Sequence, residues 1–161
     1  MQFNKEIRME KMNVKPATGK LGVLCVGLGA VTSTFMTGVL MARKGLAKPV
    51  GSMTQYDKMR VGRGENKKYL HYGEIVPLAS LNDIVFGAWD VYPANAYESA
   101  VNAEVLQEKD INPVKDELEK IVPMKAAFDH NYASRFDGNN VKDCNNRRDM
   151  VEQLREDIRN F

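Results

Sequence analysis

The fold is decided by the stretch "LGVLCVGLGAVTSTFMTGVLMARKGL", which covers residues 21–46. Its first six residues, 21–26, are apolar and rich in valine, a pattern typical of a strand buried on both faces in a parallel sheet. After two glycines, Phe35 and Val39 recur at helical spacing, and Gly45 stands where such a helix would stop. The stretch therefore predicts a strand, a glycine-rich turn and a helix.

The glycine turn has the composition of a phosphate-binding turn. Gly27 and Gly29 lack a Cβ, so backbone N–H groups at a helix N-terminus can approach a pyrophosphate closely. The dinucleotide fingerprint G-x-G-x-x-G/A has a small sixth residue, and that position is Thr32 here. We expect the hydroxyls of Thr32, Ser33 and Thr34 to donate to phosphate oxygens or to cap the helix. The alternative is a tight structural turn that binds no ligand.

The next hundred residues continue the alternation of strands and helices. Residues 48–55 predict a second extended segment, at the distance expected of a right-handed βαβ crossover. In the dinucleotide fingerprint, an acidic residue at the end of the second strand holds the ribose hydroxyls. The candidates for this position are Gln55 and Asp57. Residues 58–71 predict an exposed, basic excursion, and residues 83–89 predict a further central strand.

Three helices are predicted in the second half of the chain. The first covers residues 95–110, with Tyr97, Val101 and Val105 on one apolar stripe, and the second covers residues 113–121. The third is indicated by an apolar repeat typical of a helix that lies on a sheet: Met150, Leu154, Ile158 and Phe161. The alternation predicts an α/β fold with a Rossmann-like, doubly wound parallel sheet, truncated because the sequence stops on a helix.

Composition predicts the domain organisation. The 161 residues are 43% hydrophobic, enough for one domain with an ordinary core. Residues 1–20 hold five basic and two acidic residues, an excess larger than the net charge of +2 on the whole chain. Because the positive charge lies in a polar leader and not on a folded face, we expect no nucleic-acid partner. We predict a polar tail over residues 1–16 and one domain over residues 17–161.

The cysteines and histidines exclude further classes of site. Cys25 and Cys144 lie far apart without a CxxC motif, so we expect reduced thiols in a cytoplasmic protein. His71 and His130 lack partners at metal-ligand spacing, and no metal site is predicted. The sequence has no uninterrupted apolar window of membrane-spanning length, so we expect no membrane partner.

Three longer motifs resemble a known family. They are "VGSMTQ" (residues 50–55), "VPLASLNDIVFGAWD" (76–90) and "VPMKAAFDHN" (122–131), and they follow the GxG turn in this order. Together they resemble the inositol-3-phosphate synthases, bacterial members above all, and the likeness runs from about Lys15 to Phe161. The "REDIRNF" ending resembles the helix that precedes that family's next sheet strand.

The resemblance implies an NAD-dependent isomerase of inositol and phospholipid biosynthesis. Such an enzyme converts glucose 6-phosphate into 1D-myo-inositol 3-phosphate: NAD+ oxidises C5, the acidified C6 closes on the C1 aldehyde, and the same cofactor reduces the resulting ketone. The family's catalytic residues are implied to lie beyond Phe161, which leaves this chain as the N-terminal NAD-binding part of a homo-oligomeric enzyme. The alternative is a non-catalytic nucleotide-sensing or interaction module on a truncated Rossmann core.

The resemblance also implies which residues bind NAD. Asp90 matches the acidic residue after the GAW element, which faces the adenosine part of the cofactor, and the carboxyl end of a parallel strand is where a ligand crevice lies. The pair Ser134 and Arg135 resembles a Ser-Arg element that approaches NAD. The phosphate-binding turn matches six consecutive residues: Gly27, Leu28, Gly29, Ala30, Val31 and Thr32.

Overall fold

The structure, a computed structural model, describes Lys15 and residues 18–135 and 137–161, so most of the predicted N-terminal tail lies outside the described residues. In chain order the elements are β1 (Leu21–Val26), α1 (Ala30–Arg43), α2 (Met53–Tyr56), β2 (Lys58–Val61), β3 (Lys68–His71), α3 (Tyr72–Ile75), β4 (Ile84–Asp90), α4 (Ala96–Asn102), α5 (Glu108–Ile111), α6 (Lys115–Leu118), β5 (Met124–Lys125) and α7 (Arg147–Asn160). Apart from the consecutive strands β2 and β3, strands alternate with one or more helices, as the sequence predicted.

The main sheet is parallel and has the order β1, β4, β5. β1 pairs with β4 from Leu21 opposite Ile84 to Val26 opposite Trp89. Because the strands are parallel, their carboxyl ends meet at one edge of the sheet, where a ligand crevice forms in such folds. The prediction that β1 is buried on both faces is wrong, since none of its six residues is fully buried and Val26 is 92% exposed.

One face of the sheet carries the hydrophobic core. α1 and α4 pack on this face and against each other. Ala88 of β4 and Ala100 of α4 are small and fully buried, which lets the two helices approach the sheet closely. The larger core side chains come mostly from α1, β4 and the short helices that follow α4: Met36, Leu40, Phe86, Ile111, Val114 and Leu118.

The C-terminal helix α7 lies against the opposite face, which confirms the prediction of a helix on a sheet. The Phe161 ring contacts the strand backbone at two glycines. A Cβ at Gly22 would lie 2.7 Å from that ring, and one at Gly87 would lie 2.8 Å from it. The glycines therefore provide a flat surface on which the end of α7 rests.

Two predicted elements are wrong. Residues 48–55 do not form an extended segment, because Pro49, Gly51 and Ser52 make a turn that leads directly into α2. The helix predicted over 95–110 is broken by Glu104, whose φ of 54° lies in the left-handed region.

The buried stripe of this helical region also differs from the prediction. Val101 and Val105 are 43% and 58% exposed, and the helix buries Ala96 and Ala100 instead. The short side chains suit the close packing of α4 on α1 and the sheet. The exposed excursion over 58–71 is confirmed, and it contains the antiparallel hairpin of β2 and β3.

Candidate functional site

The glycine turn joins the end of β1 to the start of α1. Gly27 has a φ of +94°, a conformation that side-chain-bearing residues rarely adopt, and its N–H donates to the carbonyl of Trp89 at 2.7 Å. Gly29 is the N-cap of α1 and has ordinary extended dihedrals. An added Cβ at either glycine would meet no atom within 4 Å. The turn is therefore open on its outer side.

The N-terminus of α1 has the features of an anion-binding site. No side chain caps it, and its first turn holds no acidic residue. The first N–H groups of a helix lack partners within the helix, and the helix dipole places partial positive charge there. The N–H groups of Ala30, Val31 and Thr32 stand at this end, next to the open glycine, where a pyrophosphate is stabilised.

The hydroxyls after the turn do not cap the helix, contrary to one of the two predicted roles. Ser33 is fully buried, and its hydroxyl donates to the carbonyl of Ala30 at 3.3 Å. Thr34 lies on the other side of α1, in an apolar groove that also contains Gln55. Thr32 is half-buried at the start of the helix. Ser33 therefore belongs to the internal packing of α1.

Asp90, the last residue of β4, lies beside the turn. Its Oδ2 accepts the N–H of Leu28 at 2.5 Å, and its Oδ1 accepts the N–H of Tyr92 at 2.9 Å. The adjacent Trp89 is buried, and its indole N–H donates to Asp157 of α7 at 2.6 Å, so this side chain packs within the fold. Asp90 is thus the acidic group that reaches the glycine turn.

A crevice of about 280 Å³ opens between the turn, the end of β4 and the second half of α4. Four of the predicted binding residues line it: Leu28, Gly29, Ala30 and Asp90. Sequence reasoning missed the opposite wall, which consists of Tyr92, Ala94, Ser99, Asn102 and Ala103. The capping box of Asn95 and Glu98, visible in the sequence as N-x-x-E, marks the start of the helix that carries this wall.

The remaining candidates lie away from the crevice lining. Ser134 and Arg135 are exposed in a turn that follows β5. Beyond them, Asn140 joins the returning chain to the sheet, since its side-chain amide donates to the carbonyl of Asp90 at 2.9 Å. Gln55 lies in α2 and Asp57 at its end, and neither lines the crevice beside Asp90.

Metal-ligating side chains do not cluster in the part of the chain that the structure describes. His71 precedes α3, where its backbone N–H donates to Glu74 at 2.7 Å. The ring of His130 stacks edge-on against Phe128. Over the described ranges 18–135 and 137–161, every helix is too short or too polar to cross a membrane.

A parallel strand, an open glycine turn and an uncapped helix beside a crevice at the carboxyl edge define a dinucleotide-binding domain of the Rossmann class. The family model described as myo-inositol-1-phosphate synthase, an NAD-binding domain, matches residues 21–161. The chain belongs to the myo-inositol-1-phosphate synthase family, and it corresponds to the NAD-binding portion of these proteins.

Individual relatives agree with the family match. Inositol-3-phosphate synthase 1 of Bacteroides thetaiotaomicron is 59% identical over 152 residues, which are 94% of this chain and 35% of that protein. Inositol-3-phosphate synthase 1 of Oryza sativa subsp. japonica is 30% identical over 156 residues, covering 88% and 31%. The crystal structure of inositol-3-phosphate synthase from Caenorhabditis elegans matches with a TM-score of 0.78 and 28% identity, covering 91% and 32%. The chain spans about a third of the length of these relatives.

The residues present fit NAD, the cofactor of this domain. The turn offers backbone without obstruction at Gly27 and Gly29, and the helix behind it has a free, positively polarised N-terminus. The crevice continues from this turn along Asp90 to the wall formed by α4. A dinucleotide needs this combination of an anion-binding end and a neighbouring cleft for its nucleoside.

Proposed function

We propose that this chain binds NAD through the glycine turn and contributes the cofactor-binding part of an inositol-3-phosphate synthase. The observation that carries the proposal is the uncapped N-terminus of α1, which opens into the crevice beside Gly29. The substrate of the reaction is glucose 6-phosphate, and the product is 1D-myo-inositol 3-phosphate. Membership of the synthase family supports this assignment.

In this proposal the pyrophosphate lies at the N-terminus of α1. The open backbone of Gly29 lets it approach, and the N–H groups of Ala30, Val31 and Thr32 donate to its oxygens. Gly27 and Leu28 shape the turn, because Gly27 takes the positive φ and the Leu28 side chain is anchored in the core. When bound, NAD supplies the acceptor and donor of hydride for the sugar carbon.

Asp90, Ser134 and Arg135 complete the proposed cofactor contacts. Asp90 lines the crevice and carries oxygens that can accept hydrogen bonds from ribose hydroxyls. Ser134 and Arg135 are exposed and do not line the crevice. Their contact with NAD therefore requires the ligand to extend toward the turn after β5. We further propose that the protein acts in the cytoplasm, as part of a homo-oligomer, without a nucleic-acid or membrane partner.

The test is a calorimetric titration of NAD+ into the chain and into Gly29→Val. Gly29 has dihedrals that valine can adopt, and its Cβ would point into open space, so the variant keeps its fold while its side chain occupies the phosphate position. We expect saturable binding by the parent chain and none by the variant. Gly27→Val is a poorer test, because the positive φ of Gly27 would add backbone strain.

Gly38→Val is the matched control. Gly38 also lies beside open space, but on the side of α1 away from the turn, so this variant should bind NAD+ like the parent. Equal binding by Gly29→Val and Gly38→Val would reject the phosphate-turn assignment. The chain alone should form no inositol phosphate from glucose 6-phosphate, and product formation by the purified chain would overturn its restriction to cofactor binding.

A further inference from the structure

The end of β4 holds the glycine turn from one side. Trp89 accepts the Gly27 N–H through its backbone carbonyl at 2.7 Å, and Asp90 accepts the Leu28 N–H through its carboxylate at 2.5 Å. Two consecutive residues of one strand thus bind two consecutive N–H groups of the turn. The second bond is a charge-assisted one, which is shorter and stronger than a bond between neutral groups.

We propose that Asp90 is a positioning residue for the pyrophosphate, acting through the backbone of Leu28. The proposal rests on the function proposed above and assigns Asp90 a role in addition to any ribose contact. The Leu28 N–H is committed to Asp90, so it does not bind phosphate. Binding then falls to the N–H groups of Ala30, Val31 and Thr32, whose direction depends on how the turn is held.

The composition of the turn makes such a constraint necessary. Glycine populates more backbone conformations than any other residue, and two of the three residues in the turn are glycines. The Leu28 side chain, 2% exposed, anchors the turn from the core side. Without the Asp90 bond, the peptide between Gly27 and Leu28 would be fixed by its neighbours alone, and the start of α1 would lose its fixed direction.

The surroundings of Asp90 also limit its effect on an anion. A carboxylate close to a phosphate would oppose binding through like charge. Here both oxygens accept backbone N–H groups, one from Leu28 and one from Tyr92, and these donors offset part of the negative charge. The remaining lone pairs stay available to a ribose hydroxyl, so the positioning role and a ribose contact are compatible.

The two roles differ in which ligands they affect. A residue that orients the phosphate-binding N–H groups matters for NAD+ and for ADP, which carry phosphates. A residue that only contacts ribose matters equally for adenosine, which carries none. The Leu28 amide proton gives a separate signature, because a charged acceptor at this distance shifts its resonance even without ligand.

The experiment records amide spectra of the parent chain and of Asp90→Asn during titration with NAD+, ADP and adenosine. We expect the Leu28 amide resonance to move upfield in the unliganded variant, because the charged acceptor is lost. In the parent chain, NAD+ should shift the amides of Ala30 and Val31 more than that of Leu28. The affinity of the variant for NAD+ and ADP should fall about 10- to 100-fold, and its affinity for adenosine by less than about 3-fold.

Asp57→Asn is the control, since Asp57 is exposed and does not line the crevice. A Leu28 resonance that does not respond to Asp90→Asn would overturn the proposal, and so would an equal loss of affinity for adenosine and NAD+. If Asp90→Asn fails to fold, the parent titration decides: a Leu28 shift larger than those of Ala30 and Val31 means that this N–H binds the ligand itself. Absence of NAD+ binding by the parent would instead reject the proposed function, while the Leu28 comparison would still report on the bond to Asp90.

Discussion

The two faces of the parallel sheet are covered by different kinds of contact. On one face, α1 and α4 bury side chains completely, among them Met36 at 0% exposure and Ala100 at 2%. On the other face, no residue of α7 is buried, although the helix has 14 residues. Two contacts hold α7 on the sheet. The Phe161 ring packs against two glycines, and Asp157 forms a polar cluster with Trp89 and Lys142.

The alternation of side chains along the strands produces this difference. The side chains of Val23, Phe86 and Ala88 lie on the face that packs against α1. Gly22 and Gly87 lie at the alternate positions, whose face is turned toward Phe161 at the end of α7. The crevice is built from the start of α1, the end of β4 and α4, which belong to the closely packed face. The geometry of the candidate cofactor site therefore depends on apolar packing, while the placement of α7 depends on the Phe161 ring and a few polar contacts.

The largest loss of stability is expected from a substitution on the closely packed face of the sheet. Met36→Ala removes a side chain with no exposed surface and leaves a cavity, so it should lower the free energy of unfolding by about 2–5 kcal/mol. Ile158→Ala on α7 is the control. The Ile158 side chain is 55% exposed, so this substitution should lower the free energy of unfolding by less than about 1 kcal/mol. Urea unfolding followed by circular dichroism measures both. Similar losses would contradict the distinction between the faces.

Regular local apolar patterns explain which elements could be predicted from the sequence. β1, α1 and α7 have long, regular apolar patterns, and the structure confirms all three. Residues 48–55 contain valine and methionine, but the turn-forming Pro49 and Gly51 decide their conformation. The interruption of α4 depends on the backbone conformation of one residue, Glu104, and a stripe of apolar residues does not report it.

The candidate site was predictable in part for a similar reason. The glycine turn is a local motif, and Asp90 follows an apolar strand, so its place at the carboxyl edge follows from a parallel sheet. The bond between Asp90 and Leu28 depends on the register that sets Val26 opposite Trp89, and no local pattern contains this information. The wall contributed by α4 depends likewise on how that helix packs on α1.

The second prediction concerns the polar contacts of α7. Lys142 is 7% exposed at its side chain and lies 2.7 Å from Asp157, which also accepts the Trp89 indole N–H. Asp157→Ala leaves a buried cation and a buried donor without their partner, so it should cost about 2 kcal/mol, less than a fully buried pair because Asp157 is 20% exposed. Trp89 is the sole tryptophan, and its emission should shift to longer wavelength as α7 loosens.

A double variant tests the cause of this loss. Lys142→Met combined with Asp157→Leu removes both charges, and apolar replacements of ion pairs are often neutral or stabilising. We expect the double variant to recover the part of the stability that Asp157→Ala loses through the Lys142 charge, whereas the Trp89 indole N–H lacks its acceptor in both variants. If the double variant were less stable than Asp157→Ala, the uncompensated Lys142 charge would not be the reason for the loss, and α7 would depend on the ion pair itself.

The smallest change in stability is expected from a substitution at the start of α7, and this change depends on pH. The backbone N–H of Asn145 donates to Asp149 at 3.0 Å, and this bond, with a further one from the Gln153 side chain, lowers the pKa of Asp149 below its ordinary value of 3.8. A carboxyl group whose pKa is lowered by folding stabilises the folded state fully above its ordinary pKa. That stabilisation is lost as the pH falls below 3.8 and through the lowered pKa of the folded chain.

Asp149→Asn removes the carboxylate at every pH, so it isolates this contribution. The difference in unfolding free energy between the parent chain and Asp149→Asn should be constant near neutral pH and should shrink as the pH falls below 3.8. Urea unfolding over a series of acidic pH values measures it. A difference that stays constant into strong acid would show that the Asn145 bond does not stabilise the charged form, and the start of α7 would then be held by the Asn146 cap alone, whose side chain accepts the N–H groups of Arg148 and Asp149.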